Sequence, residues 1–101
     1  MARDEVLRIG ERWSELTAND VTRFTLSVRG PGDIEISAAT TSAGIPDNDF
    51  TPRGHLVERG VAILNRSMVE LFPGVTDAAR VFGRLPPGGA DGHSFVYVSH
   101  A

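Results

Sequence analysis

Three patterns in this chain set chemistry-bearing residues close enough to act together. Asp47-Asn48-Asp49 lines up oxygen donors inside the polar stretch SAATTSAGIPDNDFTPRG, residues 37–54, and oxygen ligands at alternating positions are what Ca²⁺ takes. The stretch lacks the glycine and the distal bidentate glutamate of a helix–loop–helix calcium site, and an Asx turn after Pro46 accounts for the same residues. Asp33 and Glu35 share the outward face of an alternating run, about 7 Å apart, a separation that suits an inverting glycosidase pair. Such an enzyme needs an aromatic-lined cleft. Five Phe, one Trp and one Tyr, most at core spacing, do not build one, so a solvated strand face is the reading.

The third pattern is histidine. His55, His93 and His100 show neither His-x-His nor His-x-x-x-His spacing, and no Cys exists to complete a zinc set. Ser94, beside His93, has no Gly-x-Ser-x-Gly context. The glycine-rich PPGGADG, residues 86–92, lacks the Lys-Ser/Thr end of a phosphate cradle. Trp13 could stack a sugar, but a lone Trp beside an alternating strand more often plugs a core or anchors an interface. The expectation is a protein that is not an enzyme, with no catalytic residue, no bound metal and no cofactor.

The elements that must position these residues read as strands. In VTRFTLSV, residues 21–28, Phe24, Leu26 and Val28 point one way and Arg23, Thr25 and Ser27 the other. The turn formers RGPGD follow, and DIEISA resumes the alternation with Ile34 and Ile36 inward, which predicts a β-hairpin. HLVERGVAILN gives two apolar runs around a tight turn or bulge at Glu58-Arg59-Gly60. SMVELF runs to Pro73-Gly74, ARVFGRL (79–85) is a further strand, with a short helix starting at Thr76 or Asp77 as the alternative, and FVYVSHA is apolar on both faces, as befits a central strand or an interface. At the N-terminus Val6, Ile9, Trp13 and Leu16 fall at helical spacing, while RWSELT reads equally well as a strand. Residues 1–12 are expected as an arm, mobile when alone, or a short helix; residues 13–101 as one β domain with a long loop at 38–54. Six to eight short strands with regular turn signals make the fold class all-β, a small antiparallel sandwich or barrel.

Charge narrows the partners. Net charge is −3, every one of the ten cations is Arg, and acids are interleaved with most of them. A nucleic-acid surface needs a basic stripe with aromatics beside it, so none is expected here. MARDEVLR is charged rather than apolar, which predicts no signal peptide, and no run nears the roughly 20 residues of a membrane span. With no Cys, nothing reports a redox compartment.

Taken in order, LRIGERWSELT, VTRFTLSVRGPGDIEISA, a polar loop, the pair HLVERGVAIL and VELFPG, and the terminal FVYVSHA resemble the small all-β virion proteins of tailed bacteriophages. These include capsid decoration (cement) proteins and fibre attachment domains. The resemblance lies in strand, turn and length over most of the chain and carries no invariant motif; the long Pro-rich N-terminal arm of the better-known trimeric decoration proteins is missing. It implies a structural subunit on the capsid surface of the virion, made in the host cytoplasm, that binds the major capsid protein and forms a homo-oligomer, a trimer on a local threefold. A tail, fibre or baseplate domain that binds a host surface or another tail protein is the alternative. On either reading the 38–54 loop is a candidate contact arm, with Ile45 and Phe50 as apolar anchors flanked by Asp47, Asp49 and Arg53, and Trp13 as a further interface residue. The competing expectation is that Ile45 and Phe50 tuck back onto their own domain.

Overall fold

The computed structural model describes residues 2–89 and 91–101; Met1 of the expected arm and Ala90 of the 86–92 loop lie outside them. Eight strands lie among the described residues: β1 Arg3–Ile9, β2 Ser14–Glu15, β3 Arg23–Pro31, β4 Ile34–Ala39, β5 His55–Val57, β6 Ala62–Ser67, β7 Arg80–Arg84 and β8 Ser94–His100. They form two antiparallel sheets, ordered β1-β8-β3-β6 and β2-β7-β4-β5. Ile9, Leu26, Val28, Val96 and Val98 from the first sheet pack with Ile34, Ile36, Val57 and Val81 from the second in one core. The all-β sandwich expected from the alternation is the architecture found.

The connections differ from expectation in an instructive way. The inward faces of VTRFTLSV and DIEISA are as read, but β3 and β4 do not form a hairpin. Both edges of β3 are already occupied, by β8 and β6, so the chain turns at Gly30–Gly32 into the opposite sheet. Crossing the sandwich keeps Leu26, Val28, Ile34 and Ile36 in one core from two sides. The corner is tight: Ser94 Oγ donates to the Gly32 carbonyl at 2.6 Å, and a Cβ at Gly32 would meet Leu85 Cδ2 at 2.9 Å. The Glu58–Val61 turn, closed by the Val61 N–H on the Glu58 carbonyl at 3.0 Å, crosses in the same manner from β5 to β6.

Residues 3–9, expected within a mobile arm or helix, are strand β1, paired residue for residue with β8. The helical spacing is not realised because the FVYVSHA strand offers an open edge, and Ile9 is buried by alternation. β8 therefore lies between β1 and β3, the central position its two apolar faces predict. VELF, read as part of a strand pair, is instead one helical turn, α1, Met68–Leu71. Ser67 caps it by accepting from the Glu70 N–H at 3.2 Å, the Ser-x-x-Glu spacing of a capping box.

Candidate functional site

β7 decides what happens on the outer face of the second sheet. Its alternation sends Val81 and Gly83 into the core and Arg80, Phe82 and Arg84 to the opposite face, where β4 contributes Glu35, Ser37 and Ala39 at matching positions. That face would carry Glu35 and Arg84 into water. They are buried instead, Arg84 to 2% exposure, because Trp13 and the expected 38–54 loop, whose first two residues Ala38 and Ala39 are still β4, fold across them. Glu35, expected outward in a solvated pair with Asp33, accepts from Arg84 Nε at 2.9 Å. Asp33 has a separate role, accepting from the Arg59 N–H at 2.9 Å.

Arg84 turns two further donors to the loop backbone, Nη1 to the Asp49 carbonyl at 2.6 Å and Nη2 to the Thr51 carbonyl at 2.9 Å. Its guanidinium lies 4.6 Å from the centroid of the Trp13 ring. A flat five-donor fork suits this geometry, one branch to a carboxylate and two to carbonyls with an aromatic against its plane. The Trp13 backbone N–H reaches the same loop, donating to Asn48 Oδ1 at 2.7 Å. A second arginine holds the loop's beginning. Arg80 bonds Asp20 Oδ1 at 2.8 Å, Glu15 Oε2 at 2.7 Å and Ser42 Oγ at 3.0 Å. Burial pushes the Glu15 carboxyl up, but bonds from Ser42 and Arg80 outweigh it, and the net position is below the ordinary value. The loop's end is pinned sterically: Gly54 has φ +67°, and a Cβ there would overlap the Ile36 carbonyl.

The six residues singled out in the sequence are thus divided. Phe50 stands 85% exposed at the tip and Ile45 44% exposed earlier in the loop; neither tucks into the core. Asp47 is exposed. Asp49 caps the tip, its carboxylate accepting from the Thr51 N–H at 3.0 Å and pairing with Arg53 at 3.3 Å. The Thr51 bond foremost, then the Arg53 charge, hold the Asp49 carboxyl below its ordinary range. Trp13 is 5% exposed, so it supports the loop from beneath and offers no surface of its own. Arg84, Glu35 and Arg80, which do the holding, are not distinguishable in sequence from solvated charges on alternating strands.

The Asn48 Oδ1 and the Asp49 carboxylate are engaged as loop and turn acceptors, and no group of three His, Asp or Glu side chains suited to a metal occurs among the described residues. The three histidines lie apart: His55 bonds the Leu71 carbonyl, His93 packs edge-on to Phe95, and His100 Nε2 accepts from the Ala18 N–H at 3.1 Å. Between the loop tip and residues 86–89 an open cleft of about 510 Å³ is bordered by Phe50, Asn48, Arg12 and Asp91. No protein-family model, curated protein or solved structure matches the chain.

Proposed function

We propose that this chain is a structural interaction protein whose docking surface is the 38–54 loop, and specifically a capsid decoration subunit that binds the major capsid protein and bridges it to its neighbours. The observation that carries the reading is Phe50. A large aromatic stands 85% exposed on a loop whose backbone is tied down on both sides of it by one buried arginine. Held in place without a partner, the ring gains its burial only when a partner supplies it, the arrangement of an interface anchor. Ile45 adds a second apolar point, and Asp47, Asp49 and Arg53 make a polar rim. The resemblance to small all-β virion proteins supplies the partner class. The cleft beside Phe50, with its polar border, favours the second reading, a tail or fibre domain that takes a host surface group against the aromatic face.

Two measurements test this. The copy number of the chain in virions purified from the producing culture, relative to the most abundant shell protein, is expected near one to one. A handful of copies per particle replaces the capsid reading by the tail or fibre reading, and absence from particles overturns both. The double variant Ile45→Asp/Phe50→Asp is expected to keep the wild-type urea midpoint and lose its place on the particle. Unchanged incorporation overturns the loop as the docking surface.

A further inference from the structure

We propose that the protein assembles head to tail, strand β6 of one copy pairing with strand β1 of the next so that the first sheet continues across subunits. β6 and β1 are the two edges of that sheet, each paired on one side only among the described strands. They run antiparallel to each other, because three successive antiparallel pairings separate them. A second copy in the same orientation therefore presents β1 to β6 in the sense that every pair in the sheet already uses.

The β6 edge is protected only by the bulge at Asn65. Residues 61–65, Val-Ala-Ile-Leu-Asn, carry no charge and no proline, and Leu64 is 69% exposed. Val28 donates to the Val61 carbonyl at 3.1 Å and Ile63 lies opposite Leu26, so ladder alternation turns the N–H and C=O of Ala62 and Leu64 toward the free edge. On β1, Val6 is 54% exposed on the outer face, and Leu7 sits half-buried at the rim of the core, as Ile63 does on β6.

One register satisfies both edges. With Leu64 opposite Val6 of the next copy, apolar meets apolar on the outer face, and Ile63 meets Leu7 on the inner face, joining the two core rims. The bulge at Asn65 ends the regular ladder after Leu64. Beyond it Arg66 lies beside the acidic pair Asp4-Glu5 of the next copy. All three side chains are exposed, so a cation meets acids there at the surface. Sliding by two residues, the smallest shift that keeps the faces, sets Asp4 or Arg8 against Leu64. A two-fold β6–β6 pairing about Leu64 makes no ion pair. A two-fold β1–β1 pairing about Val6 sets Asp4 against Arg8 but leaves the uncharged β6 edge open; β1 of a second copy against β6 covers both edges and gives Arg66 acidic partners, and a head-to-tail contact of this kind closes into a ring or runs on as a filament.

The test uses Val6→Lys and Leu64→Lys, each blocking one edge at an exposed position, with mass read by light scattering after gel filtration. The wild type is expected at a multiple of the 10.8 kDa chain, and each variant alone at the mass of one chain with an unchanged CD spectrum. Mixed one to one, the two variants retain one good β6 and one good β1 between them and are expected to form a capped dimer that grows no further. A wild type that remains a single chain overturns the proposal. So does a Val6→Lys variant that keeps the wild-type mass, which is the outcome for two-fold β6 pairing, a Leu64→Lys variant that keeps it, which is the outcome for two-fold β1 pairing, and a mixture that stays at one chain. Should a lysine variant lose its CD spectrum, Val6→Ser and Leu64→Ser take their places. The proposal stands apart from the loop's role: the loop covers the other sheet, so Ile45→Asp/Phe50→Asp keeps the wild-type mass whatever it binds.

Discussion

Replacing Arg84 by methionine tests the central structural claim, that one buried ion pair orders the loop. The substitution keeps a comparable apolar stem against Trp13 and removes the guanidinium. Glu35, buried beneath the loop, then loses its partner, and an uncompensated buried charge of this kind costs about 3–5 kcal/mol. The Asp49 and Thr51 carbonyls also lose their donors, but both residues are exposed, so water can replace those bonds at a cost of roughly 1 kcal/mol or less. A net loss near ~4 kcal/mol against a total of about 5–15 kcal/mol leaves a folded, weakened protein. With a urea dependence of about 1.5 kcal/mol per molar, the midpoint falls by roughly 2–3 M.

The chain's single Trp is the probe. Trp13 lies under the guanidinium, so its fluorescence reports both global unfolding and, in the native baseline, opening of the loop. Arg84→Met is expected to red-shift that baseline before any transition and to speed tryptic cleavage after Arg53. The decisive comparison is the double variant Arg84→Met/Glu35→Leu, which removes both charges together. It is expected to be more stable than Arg84→Met alone, with a coupling of about 2–3 kcal/mol between the positions. Single variants whose losses add within about 0.5 kcal/mol refute the pairing as the source of loop order. A midpoint shift in Arg84→Met below roughly 0.5 M refutes the energetic reasoning as a whole.

Two further outcomes follow from the same geometry. Gly54→Ala and Gly60→Ala both force alanine into a left-handed conformation, which costs about 1–2 kcal/mol; Gly60 has open space around it, whereas at Gly54 the new Cβ meets the Ile36 carbonyl. Gly54→Ala is therefore expected to have the lower urea midpoint of the two, and equal midpoints would mean the loop's end is not pinned on β4. Glu15 has a folded-state pKa below its ordinary value of 4.5, so its stabilisation is complete above that value and is lost as pH falls through the lowered one. Urea midpoints are expected to decline below about pH 4.5 in the wild type and less steeply in Glu15→Gln; identical acid limbs would show that Arg80 draws nothing from this carboxylate.

The strands were legible because alternation is a local property. Phe24, Leu26, Val28, Ile34 and Ile36 declare their inward faces from period two alone, and FVYVSHA declares a central strand by being apolar on both sides. Strand partners are not local. RGPGD is equally good chemistry for a hairpin and for a corner, and what excludes the hairpin is that β8, some seventy residues on, and β6 already flank β3. The same holds for residues 3–9, whose charges read as an arm until the edge of β8 is known. α1 was legible in principle: Ser67 and Glu70 stand at capping-box spacing, and the apolar run MVELF concealed it. Glu35 and Arg84 were the hardest, because a charged residue at an outward position reads as solvated unless something long enough lies over it. The clue was the loop. Seventeen residues with almost no apolar content need polar groups to hold them, and buried arginine supplies several donors from one side chain.

That arrangement also changes what the loop can do. An arm that orders only on binding gives up about 1–2 kcal/mol of backbone entropy per residue at the moment of contact. In this protein Arg84, Arg80, Asn48 and Gly54 have already fixed the loop on its own sheet, so that loss falls on folding and not on docking. Phe50 and Ile45 then meet a partner with only side-chain freedom to lose, and a small apolar contact retains most of its burial as affinity. The consequence can be checked within the variants above. Arg84→Met leaves Phe50 and Ile45 in place chemically and loosens the backbone that presents them, so it should weaken docking even where the protein remains folded. If docking is unaffected by Arg84→Met but abolished by Ile45→Asp/Phe50→Asp, the loop binds by its apolar residues alone and its preorganisation serves stability only.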